Sequence, residues 1–267
     1  MISFLSLSSG SSGNCYFFTD GAVSFLVDAG VGPRTCAKKL SEHGFSLSQV
    51  DFILITHDHI DHIRALGIIS SKYSKPVYTT KSLAEALANN VCTRGRLGGN
   101  LHLIRPGKAE QICGVGVLAF EVPHDATQTV GYHLCMDGRR ITIITDCGRM
   151  SEPLMEYVLR SDTLILESNY DDRMLDEGPY TQMLKDRIRG GSGHLSNAEA
   201  AQVIVSALKD RIGSLEQIFL CHLSDNNNTP QAALESVRTV LDKAGFPDEP
   251  SLLEALPRGK VSKLYRL

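Results

Sequence analysis

Residues 56–62 read Thr-His-Asp-His-Ile-Asp-His, which places three imidazoles and two carboxylates within six positions. All five side chains are of types that bind borderline or hard divalent metals. Packing gives no reason to crowd groups so costly to desolvate beside the apolar run Phe52-Ile53-Leu54-Ile55. A metal does. The spacing His57-x-His59-x-Asp61-His62 also offers more ligands than one tetrahedral ion with an open position takes from a single segment. It therefore predicts two ions.

Elements far apart in the chain must complete such a centre. Short β-branched and aliphatic runs alternate with segments of helical period, the pattern of an α/β protein. The runs predict strands over 22–27, 51–56, 115–122, 128–135, 140–145, 162–167 and 216–221. Helices are expected over 33–43, 64–72, 81–89, 151–159, 181–189, 197–208 and 230–244. Ser196 or Asn197 caps the helix at 197–208, with Glu199 available for a capping box, and Pro230 suits the first turn of the last helix. Five apolar strands finish on a titratable residue: Asp28, His57, Asp146, Glu167 and His222. In sheets packed between helices, the carboxyl ends of parallel strands form the ligand-binding edge. One polar strand end means only that the chain has reached solvent; five point to convergence.

The bulk properties set the class. At 267 residues, with 42% hydrophobic and 21% charged residues, the chain has the make-up of an ordinary globular protein and is read as one domain, 1–267. A formal net charge of −3 excludes attraction of nucleic acid by the molecule as a whole, so any such binding needs a local basic face. Candidate clusters are Arg94 and Arg96; Arg139 and Arg140; and Lys185, Arg187 and Arg189. The seven cysteines are odd in number and form no C-x-x-C pair, which points to a reducing compartment. Most sit in apolar runs as small buried residues. With no signal-like N-terminus and no apolar run of spanning length, a cytoplasmic location away from membranes is expected. Residues 8–13, Ser-Ser-Gly-Ser-Ser-Gly, form a loop between two apolar runs. It serves either as a plain connection or as a close approach to an anionic ligand.

The order of Asp28, the His57–His62 cluster, His124, Asp146 and His222, each after an apolar run, resembles the metallo-β-lactamase superfamily over nearly the whole chain. Ser-Ser-Gly-Ser-Ser-Gly-Asn at 8–14, Glu167-Ser168-Asn169 and Gly193-His194-Leu195-Ser196-Asn197 resemble the YycJ (WalJ) branch of exonuclease-type hydrolases. The resemblance implies an αββα four-layer sandwich, two mixed β-sheets flanked by helices. It implies one metal on His57, His59 and His124, and a second on Asp61, His62 and His222, with Asp146 bridging. Zinc is the first expectation, with manganese or iron as alternatives. Asp28 would orient the histidine loop through hydrogen bonds. Two departures stand out. Asp58 replaces the more usual Glu at a position not expected to ligate, and Tyr170 stands where the branch often has His.

A bridging carboxylate at Asp146 favours paired ions, which suit phosphoryl displacement. The resemblance implies a phosphodiesterase or 5′-exonuclease acting on nucleic acid, DNA ahead of RNA, through a metal-bridging hydroxide that Asp61 orients or deprotonates. His194, after the Gly-rich run Arg189-Gly190-Gly191-Ser192-Gly193, would bind the scissile phosphate or protonate the leaving oxygen. Ser11, Ser12 and Asn14 are candidate substrate contacts. The alternatives are a thioesterase or lactonase of the glyoxalase II type, a small-molecule phosphodiesterase, and a binding module with a vestigial site. The last would lack a ligand, and none is missing. Monomer and homodimer are both open. His43, His102 and His133 match no motif and are read as surface or packed histidines.

Overall fold

The computed structural model describes residues 1–212 and 214–267. The chain packs as two compact units: residues 1–121, 126–130 and 257–267 form the first, and residues 122–125 and 131–256 the second. Each carries a mixed sheet with helices against it.

In the first unit, β1 (Ser3–Ser8), β2 (Cys15–Thr19), β3 (Ser24–Val27), β4 (Phe52–Leu54), β5 (Val77–Thr79) and β6 (Leu101–Leu103) lie side by side in chain order. Pairing is antiparallel from β1 to β3 and parallel from β3 to β6. Parallel pairing requires crossovers, which pass through α1 (Pro33–Ser41), the short α2 (Ile60–Ile63) with α3 (Leu66–Tyr73), and α4 (Lys81–Asn89). The C-terminal strand Tyr265–Arg266 closes this sheet beside β1, and the antiparallel hairpin β7 (Ala109–Ile112) and β8 (Val115–Glu121) belongs to the other seven-stranded sheet.

Both faces of this sheet are buried, for different reasons. On one face a ladder of rings runs across neighbouring strands. Tyr265–Phe4, Phe4–Phe18, Phe18–Phe25 and Phe25–Phe52 stack at 5.8, 4.8, 5.1 and 4.9 Å, and Tyr78 meets Phe52 edge-on at 5.8 Å. Cross-strand aromatic pairs contribute about 0.5–1.5 kcal/mol each beyond the area they bury, so the ladder also fixes register. The other face holds Leu5, Leu7, Phe17, Leu26, Ile53 and Ile55 against Cys36 and Leu40 of α1 and Leu66 and Ile69 of α3.

The second unit orders its strands β9 (Val130–Met136), β10 (Arg139–Ile144), β11 (Thr163–Glu167), β12 (Gln217–Cys221) and β13 (Leu252–Ala255). β9 and β10 pair antiparallel, and β10 to β13 run parallel. Its helices are α5 (Glu152–Leu159), α6 (Asp172–Glu177), α7 (Gln182–Arg189), α8 (Asn197–Lys209) and α9 (Pro230–Lys243). Ser196 caps α8 in a complete capping box with Glu199, and Pro230 occupies the first turn of α9. Among the described residues, no helix is long and apolar enough to cross a membrane.

Every strand and helix expected from the sequence is present, with ends displaced by a few residues. The additional elements are short, or are buried on both faces and so lack a period. Strands β5, β6 and β7 have three or four residues, and every residue of β1 and β2 is buried. Four of the cysteines are buried as expected, but Cys113 and Cys135 are exposed. Cys113 sits at φ +50 in the β7–β8 turn, and Cys135 faces outward from β9.

Candidate functional site

In the first unit, adjacent parallel strands β3 and β4 end together, Val27 opposite Leu54. The chain leaves β3 at Asp28 and β4 through Thr56 into the histidine loop. Asp28 is wholly buried and fully used. Oδ1 accepts the Thr56 N–H at 2.9 Å, and Oδ2 accepts the Thr56 hydroxyl at 2.8 Å and His62 Nδ1 at 2.7 Å. With its proton committed to Asp28, Thr56 Oγ1 is the acceptor for His57 Nδ1, 3.0 Å away. Both imidazoles are thereby held with hydrogen on Nδ1 and the lone pair on Nε2, the tautomer a metal takes.

The rest of the cluster gathers around them. The His57 ring centre lies 4.7 Å from that of His59 and 4.0 Å from that of His62, and Asp61 Oδ2 is 3.5 Å from His62 Nε2. Backbone bonds lock the loop in place: the Asn14 N–H donates to the Asp61 carbonyl at 2.7 Å, and the Ala29 N–H to the His62 carbonyl at 2.7 Å. The approach at Gly30 is closer still, since a Cβ there would fall 1.6 Å from the Asp61 carbonyl oxygen. Asp58 turns aside to accept the Thr127 hydroxyl at 2.7 Å.

Asn14 is buried, unlike Ser11 and Ser12, which are exposed. Its amide closes the serine-glycine loop through the N–H and carbonyl of Gly10, and its Nδ2 reaches His62 Nε2 at 2.9 Å and Asp61 Oδ2 at 3.3 Å. Asn14 thus touches the cluster from within.

In the second unit the parallel strands β10, β11 and β12 also end in step, with Ile144 opposite Leu166 and Leu166 opposite Leu220. They deliver Asp146, Glu167 and His222 to one edge. One donor atom from each of Asp146, Glu167, His194 and His222 lies within 4.8 Å of the others. Asp146 Oδ1 is 3.3 Å from His222 Nδ1, 3.7 Å from His194 Nδ1 and 3.7 Å from His124 Nε2, while Thr145 donates to Oδ2 at 2.7 Å. His124 donates from Nδ1 to the Gly193 carbonyl at 2.9 Å, which again leaves the lone pair on Nε2.

Glu167 is the residue whose role the sequence left open. Its Oε1 accepts from Nδ1 of His194 and of His222, and its Oε2 from the backbone N–H groups of Cys147 and Leu195 at 2.8 and 3.0 Å. Burial alone would raise its pKa; the His194 charge and the bonds from both imidazoles outweigh that and bring it to about 2. Burial likewise works against protonated His194, but the charge of Glu167 and its hydrogen bond raise the pKa above the usual histidine value. At His124 burial dominates and lowers it. The sequence signals for Glu167 were its place among the five titratable strand ends and in the Glu167-Ser168-Asn169 motif, neither of which gave it a role.

The two branch motifs are stitched together behind this edge. The Ser168 hydroxyl donates to Asn197 Oδ1 at 2.6 Å, and Asn228 Nδ2 donates to the Ser168 and Asn169 carbonyls at 2.9 and 3.1 Å. Tyr170 packs with Leu175 and Ile188.

Three of the strand-end residues are strained. Asp28, Asp146 and His222 have φ of +62, +51 and +53. Non-glycine residues enter this left-handed region at a cost of about 1–2 kcal/mol each.

The structure revises the basic clusters. Arg187 is paired with Asp125 at 2.5 Å and Arg189 with Asp176 at 2.6 Å, while Lys185 donates to the Asp176 carbonyl at 2.7 Å. Arg140 is bound to Asp162 at 2.7 Å and Arg139 to Glu216 at 3.4 Å. The four arginines are each bound to a carboxylate and Lys185 is held on a backbone carbonyl. Arg94 and Arg96 are exposed.

The donor set fits divalent metal. It combines neutral imidazoles whose Nε2 lone pairs are fixed by bonds at Nδ1 with carboxylates that add negative charge.

Residues 24–212 match the model of the Beta-lactamase superfamily domain. The chain is 32% identical over 246 residues to exodeoxyribonuclease YycJ of Bacillus anthracis, covering 91% of this chain and 90% of that one. It is also 32% identical over 227 residues to exodeoxyribonuclease WalJ of Streptococcus pneumoniae serotype 2 (strain D39 / NCTC 7466), 85% and 83% of the two chains. Among solved structures, the metallo-β-lactamase fold protein YhfI from Bacillus subtilis superposes with a TM-score of 0.69 at 16% identity, over 98% of each chain. Zinc-bound PqqB from Methylobacterium extorquens does so with a TM-score of 0.70 at 18% identity, over 98% of this chain and 99% of that one. The chain has the metallo-β-lactamase fold and belongs to the β-lactamase superfamily, among the relatives of the WalJ and YycJ proteins.

Proposed function

We propose that the protein is a dinuclear metal-dependent phosphodiesterase that degrades DNA as an exonuclease of the 5′ type. The observation that carries this reading is the set of imidazoles fixed with Nε2 as the lone-pair nitrogen, in a chain with exodeoxyribonuclease relatives at 32% identity.

The residues proposed to hold metal are His57, His59 and His124 for one ion and Asp61, His62 and His222 for the other, with Asp146 shared. Zinc is the proposed ion, since imidazole and carboxylate suit it and the PqqB neighbour is zinc-bound. Such ions, when present, polarise the phosphoryl group and activate water. The protein's own residues do the remainder. Asp28 and Thr56 fix the tautomers of His57 and His62, and Glu167 fixes the orientation of His222 and His194. Asp61 accepts the proton of the attacking water. His194, anchored through Nδ1, presents Nε2 to the leaving oxygen and donates a proton to it. The matched segment 24–212 draws on both compact units, which supports reading the chain as one functional domain. The odd set of seven thiols supports a cytoplasmic location.

The test is a polarity-resolved assay with end-labelled single- and double-stranded DNA and RNA in zinc, manganese or magnesium. Release of nucleotides from the 5′ end of DNA is expected, abolished by chelator and by His59→Ala or Asp146→Ala. Turnover of S-lactoylglutathione with no cleavage of any oligonucleotide would overturn it.

A further inference from the structure

The edge of the sheet that carries the histidine loop continues past it. Strands β3, β4, β5 and β6 are parallel and in step: Val27 opposite Leu54, Leu54 opposite Tyr78, and Thr79 opposite Leu103. Their carboxyl ends therefore emerge in a row. The first two lead to Asp28 and His57; the next two lead to Thr80-Lys81 and Ile104-Arg105. With strands about 4.8 Å apart, Arg105 leaves the sheet roughly 10 Å along the edge from the histidine loop.

A groove of about 760 Å³ lies at those last two ends, lined by Lys81, Leu103, Ile104, Arg105, Lys108, Ala109, Glu110 and Gln111. Lys81, Arg105 and Lys108 are all exposed, and none of the three forms an ion pair among the described residues. That sets them apart from Arg140, Arg187 and Arg189, each bound to a carboxylate. Glu110 is the one acid in the lining, and its Oε1 accepts the backbone N–H of Arg105 at 3.4 Å.

Two of the cations are held by a stiff turn. The Lys108 N–H donates to the Arg105 carbonyl at 3.1 Å, and Pro106-Gly107 lies between, with Gly107 at φ +76. This is a type II turn, with proline setting the first corner and glycine accepting the left-handed second. It is tied to the hairpin by the Gly107 N–H, which donates to the Ala119 carbonyl at 2.8 Å. Lys81 enters from the first turn of α4, whose cap Thr80 is anchored by Gln128. Leu103, 56% exposed, offers an apolar surface beside the charges. Three cations on rigid supports beside one apolar side chain match a backbone phosphate with its base alongside.

We infer that the groove at the ends of β5 and β6, with Lys81, Arg105 and Lys108, is a subsite for the phosphodiester backbone of the DNA strand whose end lies at the histidine loop. This rests on the nuclease reading for its substrate. The separation of roughly 10 Å corresponds to about three nucleotides at the 3.4 Å rise of a stacked strand. The subsite therefore engages only substrates longer than that. The sequence hides it because its cations come from two separate segments, Lys81 and the Arg105–Lys108 turn, whereas the arginines of the 139–140 and 185–189 runs are bound to carboxylates.

The experiment compares the unmodified metal-loaded protein with Arg105→Ala/Lys108→Ala and with the charge-preserving Arg105→Lys/Lys108→Arg. Binding is read by anisotropy on a labelled, phosphorothioate-linked single strand of about a dozen nucleotides, across a salt series. Turnover is read on bis(p-nitrophenyl) phosphate, which is too short to reach the groove. The alanine variant is expected to bind the strand about tenfold more weakly, with a salt slope shallower by about 1 to 2, since each phosphate contact contributes about 0.7. Its turnover of the small diester should be unchanged, and the charge-preserving variant should behave as the unmodified protein. Equal affinity and slope in the alanine variant, with DNA cleaved normally, would overturn the subsite and leave the nuclease reading standing. Strand binding that depends on these residues in a protein that cleaves no DNA would do the reverse.

Discussion

His194 and His222 converge on one oxygen atom, their Nδ1 atoms 2.8 and 2.9 Å from Oε1 of Glu167. A single carboxylate thus sets the orientation of a proposed metal ligand and of the proposed proton donor together. Glu167→Gln should disturb both, because the new amide cannot accept four donors. Metal affinity is expected to fall about 10–100-fold, the usual effect of losing such a supporting carboxylate, and turnover with it. Metal content by atomic emission after dialysis, alongside kcat, checks this; full metal content with normal kcat would contradict it.

Asp28 carries the histidine loop in the first unit. Replacement by alanine leaves the Thr56 N–H, the Thr56 hydroxyl and His62 Nδ1 without their buried acceptor. Stability should drop by about 3–5 kcal/mol, as when one partner of a buried polar pair is removed. Asp28→Asn, which retains one acceptor oxygen, should lose less. Urea unfolding of the three proteins gives the comparison.

Gly30 tests the packing of the same loop without touching a polar group. A methyl there meets backbone at Asp61 O and Asn14 N, at 1.6 and 2.8 Å, so no rotamer change relieves it. Gly30→Ala should displace the Asp61–His62 segment. Metal binding should weaken more than global stability does, measurable as metal stoichiometry against melting temperature. Gly32→Ala, where the added carbon meets nothing within 4 Å, is the control.

Away from the site, Asp162 gives a prediction with a definite pH sign. It accepts from the N–H, Nε and Nη2 of Arg140 and from the Ser214 N–H. Burial would raise its pKa; the Arg140 and backbone bonds reverse this and hold it below the ordinary carboxylate value. A depressed folded-state pKa adds stability that is complete above the unfolded value, about 3.9, and is lost as pH falls through the folded one. Asp162→Asn should therefore be less stable at neutral pH, with the deficit shrinking only below about pH 4. Thermal melts at pH 7 and at pH 3 read the sign directly.

Much of this site was legible because its chemistry sits where strands stop. The run ending at Thr56 announced the loop, and the runs before Asp146 and His222 announced the strand ends of the second unit. Glu167 was harder: a carboxylate that supports two imidazoles looks in sequence like any polar strand end until the parallel register places it. Asn14 lay in a loop whose composition suggests flexibility, yet its amide is buried against the cluster. The charge runs misled for the converse reason. Lys185, Arg187 and Arg189 are close in sequence, but their partners Asp176 and Asp125 come from elsewhere in the chain. Strands of three residues, such as β4 and β5, carry too few positions for a period; β4 was found through its longer apolar run, and β5 was missed.

The left-handed backbone at Asp28, Asp146 and His222 bears on how this protein can be engineered. At Asp28 the three buried donors it accepts outweigh that strain, so a screen that selects only for heat resistance will be drawn instead to Asp146, because glycine adopts such a backbone without the side-chain clash. Asp146→Gly is expected to melt at or above the temperature of the metal-free parent while hydrolysing no phosphodiester. Tolerance to heat and competence in catalysis would then be selected in opposite directions at the same residue.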